Sequence, residues 1–148
     1  MTQKKYELLK NDTITAPNGK TLYRIKSLIN FGVVVAGSLG GYIEKEDNLA
    51  HSGNAWVYGN ARVSGDALVS GNDDLVWFSN VGTEQGTLTV YKSKDDSLLA
   101  TRGCFNGTVD EFLAKSAKVH DERIKREYRL LIEVAKSRLL GESYVPTF

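Results

Sequence analysis

Between Ser52 and Leu75 the chain repeats itself every six residues, reading SGNAWV, YGNARV, SGDALV and SGNDDL. Glycine stands at 53, 59, 65 and 71, and Asn or Asp follows at 54, 60, 66 and 72. Alanine occupies 55, 61 and 67, and each hexad closes on a branched apolar residue at Val57, Val63, Val69 or Leu75. Such a unit reads as a short strand plus a corner. Gly followed by Asn or Asp tolerates the left-handed backbone angles of a corner, and Ala is small enough to pack inside the bend. Stacked units would align the Val and Leu positions into an inner ladder, each burying its neighbour's apolar edge.

The repeat resembles the hexapeptide-repeat proteins, which form left-handed parallel β-helices. That resemblance implies three hexads per triangular turn. VVVAGSLGGYIE upstream, where Gly37, Gly40 and Gly41 are read as turn residues, and LVWFSNVG downstream, ending at Val81 and Gly82, extend the repeat. The whole comes to about three turns, short for a free-standing solenoid. Open solenoid ends expose unpaired strand edges, so both need covers.

TITAPNGKTLYRIKSL alternates around Pro17, Asn18 and Gly19 and predicts a covering hairpin. Past Gly82, GTLTVYK and SLLATRGC read as two strands joined by a turn over Ser93 to Asp96. A helix is expected to start at Thr108, with Glu111 completing a capping box, and to end near His120. A second runs from Asp121 to Leu140 and stops at Gly141, with Ile124, Tyr128, Leu131, Ala135 and Leu139 on one stripe. Residues 142–148 read as a frayed tail. The expected architecture is mostly β with α: an N-terminal β cap over 1–30, a short left-handed parallel β-helix over 31–82, and a C-terminal ββαα lobe over 83–148.

Nineteen Lys and Arg against eighteen Asp and Glu leave a formal charge of +1, which excludes a global field that draws the chain to nucleic acid or acidic membranes. No apolar run approaches the roughly 18 residues that span a bilayer. One cysteine builds no disulfide framework, and with no signal-like opening the expected compartment is the cytoplasm.

His51, at the start of the repeats, invites comparison with the acyltransferases that resemble this chain in the repeat and use a histidine as general base. No carboxylate stands at a spacing that would orient it, and the chain lacks the long insertions that build an acyl-donor site. Cys104 and His120 offer a nucleophile and a base, but Cys104 sits between Gly103 and Phe105 where a small buried hydrophobe is wanted. One cysteine and two histidines, none at ligand spacing, argue against a structural metal, and no cofactor is expected. The glycines match neither phosphate-loop nor dinucleotide spacing. Arg123, Lys125, Arg126, Arg129, Lys136 and Arg138 crowd the last helix, yet Glu122, Glu127 and Glu133 interleave. Pairs such as Glu122 with Arg126 and Arg123 with Glu127 make that surface a solvated face rather than a nucleic-acid footprint.

If Val57, Val63 and Val69 point inward, strand alternation turns Trp56, Tyr58, Arg62 and Leu68 outward. Trp77 and Phe78 extend that surface. Aromatic, arginine and leucine side chains exposed together have the composition of an interface centre. Two readings of the face stand side by side: the chain's own hairpin or last helix covers it, or copies associate there, for which triangular β-helices suggest a trimer.

KYELLKNDTI, GKTLYRIKSL, AGSLGGYIE, NAWVYGNARVSG and GCFNGTVDEFL together resemble a family of small proteins of tailed phages and prophages. Its common ground is the β-helix repeat and the phage setting rather than a reaction. The resemblance implies a non-enzymatic accessory protein in the bacterial host cell that forms a homo-oligomer and binds a host factor as an inhibitor of antiviral defence. The interface residues would be Trp56, Tyr58, Arg62, Leu68 and Trp77. The alternatives are a sponge for a small signalling nucleotide, held at subunit interfaces where Arg62 or Arg24 meets a phosphate, and an acyltransferase-like enzyme.

Overall fold

The computed structural model describes residues 4–16, 18–83, 86–95, 97–103 and 105–141. The alternating N-terminal segment forms the expected hairpin. Strand β1 (Tyr6–Thr15) pairs antiparallel with β2 (Thr21–Ser27), Tyr6 facing Ser27 and Thr15 facing Thr21, with a register shift between Leu9 and Thr13. Gly19, at φ +82, makes the turn expected of it, while Pro17 lies outside the described residues. Strand β3 (Leu39–Ile43) continues the sheet antiparallel to β2, and β4 (Arg62–Val63) pairs parallel with β3.

The β-helix expected from the hexads does not form. Two four-stranded sheets take its place, one running β1-β2-β3-β4 and the other, wholly antiparallel, running in chain order through β5 (Leu75–Val81), β6 (Gly86–Lys92), β7 (Leu98–Arg102) and β8 (Phe105–Thr108). Residues 52–71 run as turns and extended pieces in which β4 is the one named strand, and a 3-10 helix follows at Asn72–Asp74. Their ladder is confined to Tyr42 beside Arg62, Ile43 beside Val63, and a bridge from Leu49 to Val69. On the other side, Ala67 bridges to Ser93 antiparallel, and the Leu68 and Lys94 amides donate to the carbonyls of Lys92 and Asp66. Further coils have no place to stack, because the antiparallel sheet occupies that side.

Within the hexads the local chemistry holds. Gly53, Gly59 and Gly65 take φ of +72, +55 and +65, whereas Gly71 does not enter that region. Ala55, Ala61, Ala67, Val57, Val63, Val69 and Leu75 are all buried. Gly40 and Gly41 are not turn residues but lie inside β3. A β-carbon there would stand 2.6 Å from the Val57 carbonyl oxygen or 2.4 Å from that of Ala61, so these glycines let β3 approach the hexad backbone.

The downstream segment read as a further repeat is instead strand β5 (Leu75–Val81), paired antiparallel with β6 (Gly86–Lys92). The expected hairpin from β6 to β7 (Leu98–Arg102) is present, Asp96 of its turn lying outside the described residues. Strand β8 (Phe105–Thr108) completes the sheet. Two adjacent apolar segments joined by a short turn pair locally, which outweighs a parallel arrangement that requires a long crossover.

Both helices form as expected. In α1 (Val109–Val119) the Thr108 hydroxyl accepts from the Glu111 amide at 3.1 Å, and the Glu111 carboxylate accepts from the Thr108 amide at 3.0 Å. Helix α2 (Glu122–Leu140) ends at Gly141 in the left-handed conformation, at φ +65. Its stripe of Tyr128, Ala135 and Leu139, joined by Ile132, packs with Phe112 against Leu88, Val90, Leu98 and Ala100 of the second sheet. Tyr91 and Leu75, from the same sheet, join the core built by the hexads. The second sheet is therefore the middle layer, and that double covering explains the unbroken burial of β6 from Leu88 to Tyr91, Thr89 included. The tail, residues 142–148, lies outside the described residues.

Candidate functional site

Of the outward-facing residues the sequence suggests, the structure brings three to one cleft. Tyr58, from the hexads, and Trp77, from β5, stack with ring centroids 5.0 Å apart and planes 17° apart. Trp56, Leu75, Val76 and Arg138 complete the lining of a cleft of about 330 Å³. Trp77 keeps 36% of its surface exposed and Tyr58 is half-buried. The Arg138 guanidinium, from the end of α2, meets the Asp73 carboxylate at 3.5 Å across the same region. A rigid aromatic pair beside an arginine is chemistry that anchors binding interfaces.

Trp56 corrects the expectation of exposure, since only 2% of its surface is open. Alternation assumes one covered face, but the extended piece 55–57 is covered on both. Trp56 meets the Phe31 ring edge-on at 5.3 Å and Tyr6 at 6.3 Å, so it serves as wall rather than contact. Leu68 is exposed, at 41%, but does not line that cleft. Val33 and Val35, in a run read as an extension of the repeat, are the most exposed large apolar side chains among the described residues at 86% and 65%, while Val34 between them is buried.

Arg62 lines a different, polar cleft of about 360 Å³ between the two sheets, with Arg102, Asn60, Thr87 and Tyr42 among its walls. Its backbone is fixed from both sides, its amide donating to the Thr89 hydroxyl and its carbonyl accepting from that of Thr101. Arg24, the other arginine suggested for a phosphate, is committed internally. It donates to Asp12 at 2.9 Å, the Gly40 carbonyl at 2.8 Å and the Tyr42 hydroxyl at 2.6 Å. Arg102, Asn60 and Thr87 carry no signal in the sequence, because nothing in a strand-end arginine or a hexad asparagine marks it as sharing a cleft with Arg62.

A carboxylate does meet His51, contrary to the reading from spacing. Its Nε2 lies 2.9 Å from Glu46 Oε1, and its Nδ1 accepts from the Lys5 amide at 3.0 Å. The ring stacks on Tyr6 at 4.1 Å, and with Nδ1 accepting, Nε2 carries the proton toward Glu46, so the one free lone pair of the ring is taken by the Lys5 amide. The His51 bond, opposed by partial burial and aided by Lys4, holds the Glu46 carboxyl below its ordinary range. Beside it the Lys5 ammonium, pushed down to about 8 by burial, donates to the Ala55 carbonyl at 2.6 Å and sits 4.8 Å over the Phe31 ring.

Cys104 lies outside the described residues. His120 bonds the Ser116 hydroxyl at 2.8 Å, one helical turn earlier. On α2, Arg123, Arg126 and Arg129 are exposed as a solvated face requires, but the local pairing differs. Glu122 pairs with Lys125 at 3.0 Å, and Glu127 accepts from the Gly82 amide at 2.6 Å. Among the described residues no helix is long and apolar enough to cross a membrane, and no three metal-ligating side chains converge. Comparison with family models, with curated proteins and with solved structures finds no match.

Proposed function

We propose that the protein is a non-enzymatic accessory factor of a tailed phage or prophage, which binds a host protein through the Tyr58 and Trp77 cleft and thereby inhibits a host antiviral defence. The observation that carries the reading is the exposed aromatic stack, held between two structural layers with Arg138 at its rim. Aromatic side chains anchored in this way lose little freedom on binding and bury a large area. The phage setting rests on the whole-chain resemblance. A trimer loses its basis here, since the flat β-helix faces that suggested it do not form.

The test is phage plating on bacterial hosts that each carry one defence system. The wild-type chain is expected to restore plaques on at least one such host, and Trp77→Ala, accumulating to the same level, to restore at least about tenfold fewer. Failure of the wild-type chain on every host, or equal restoration by Trp77→Ala, would overturn the proposal.

A further inference from the structure

The polar cleft between the sheets presents positive charge that no carboxylate of the described residues balances. Arg62 and Arg102 both line it, and no carboxylate among the described residues pairs with either guanidinium. Arg102 is held by one long bond, from Nη2 to the Val81 carbonyl at 3.3 Å, and its Nε is buried with no hydrogen-bond partner among the described residues. Arg62 uses its backbone to join the sheets and leaves its guanidinium outside those bonds. Arg24 shows the contrasting arrangement, with a carboxylate, a carbonyl and a hydroxyl around one cation.

Two like charges lining one partly desolvated cleft are costly unless an anion joins them. The remaining polar walls suit an oxyanion, because the Asn60 amide and the Thr87 hydroxyl add donors beside the two forks. Guanidinium groups match phosphate oxygens two at a time, which a lysine cannot do. The volume, about 360 Å³, falls within the range of small-molecule sites and exceeds what a bare phosphate needs.

We propose that this inter-sheet cleft, bounded by Arg62 and Arg102, binds the phosphate group of a small molecule. The site is separate from the aromatic cleft and does not depend on the host-protein reading. It lies within one chain rather than between subunits.

Calorimetric titration of the full chain at low salt, with inorganic phosphate, adenosine monophosphate and adenosine as probes, tests it. Phosphate, adenosine monophosphate or both should bind saturably, and adenosine should not. Tighter binding of the monophosphate identifies a phosphate ester as the ligand class, and equal binding identifies the free anion. Arg62→Gln and Asn60→Asp, at half-buried and exposed positions, should weaken binding at least about tenfold with unchanged circular dichroism. Arg102→Lys should weaken it in the same direction, whereas Trp77→Ala should leave it unchanged. No saturable binding of either phosphate probe, or binding undiminished in both Arg62→Gln and Asn60→Asp, would refute the site.

Discussion

The hydroxyl of Tyr128, on α2, occupies the space that a side chain at Gly82 would need: a β-carbon there would lie 1.8 Å from the Tyr128 oxygen. Gly82 also holds φ +76 and donates its amide to Glu127, so the end of β5 is pinned against α2 by an absence of side chain. Gly82→Ala should therefore cost on the order of 3 kcal/mol, from overpacking together with left-handed strain. Chemical denaturation measures it, and in a Tyr128→Leu background the same substitution should cost less. An identical cost in that background would mean that strain alone is responsible.

Asn48 is wholly buried and makes four bonds that no other residue type reproduces. Its side-chain oxygen accepts from the Glu44 and Lys45 amides, and its nitrogen donates to the Gly65 and Ala67 carbonyls. Asn48→Ala should cost about 3–5 kcal/mol, since each orphaned buried group loses its partner. Asn48→Asp should be no milder, because a carboxylate cannot donate to the two carbonyls. Urea midpoints of both variants decide this.

Lys5 makes stability depend on pH in the alkaline range. Its amine titrates near 8 in the folded chain against 10.5 ordinarily, so between those values the unfolded chain holds the proton and the folded chain does not. Stability from this group therefore rises with pH across that window. Compared with Lys5→Met, which does not titrate there, the wild-type chain should gain stability from pH 8 toward 10.5, as read by urea denaturation at several pH values.

Glu46 acts at the acid end with the same sign, its contribution to stability rising with pH. Its carboxyl titrates below 4.5 when folded, chiefly through the His51 bond, so its contribution is present above 4.5 and lost as pH falls through the folded value. The stability difference between wild type and Glu46→Gln should shrink on acidification. A difference that stays constant down to strong acid would rule out the carboxylate as its source.

The two tryptophans should be distinguishable in solution. Trp56 is sealed by Phe31 and Tyr6 while Trp77 is one-third open, so a neutral quencher should reach Trp77 first. Trp77→Phe should leave a blue-shifted emission that resists quenching, and Trp56→Phe the reverse. Equal accessibility in both single-tryptophan chains would contradict the burial of Trp56.

Local chemistry was legible wherever neighbours in sequence are also partners in space. The Thr108 and Glu111 capping box, the stop at Gly141, the hairpin around Gly19 and the inward Val57, Val63 and Val69 all follow from spacing alone. The candidate site was less so. Tyr58 and Trp77 were both nominated, but their stacking depends on β5 leaving the repeat to pair with β6. Strand alternation puts Arg62 on one surface with Trp77, whereas the fold places it in a different cleft with Arg102, which no local pattern marks.

The sequence by itself determined the corners, the inner residues of each hexad, the helix ends and the β6 to β7 hairpin, because short-range sterics and hydrogen bonding govern them. Only the tertiary structure decided what those hexads pack against. Six-residue periodicity specifies which side chains point inward but not which backbone lies alongside, and the antiparallel sheet fills the place where further coils would have stacked. The N-terminal part closed over the other side, where Phe31 and Tyr6 sealed Trp56 in the core, and Arg62 and Arg102 came to line one cleft between the sheets.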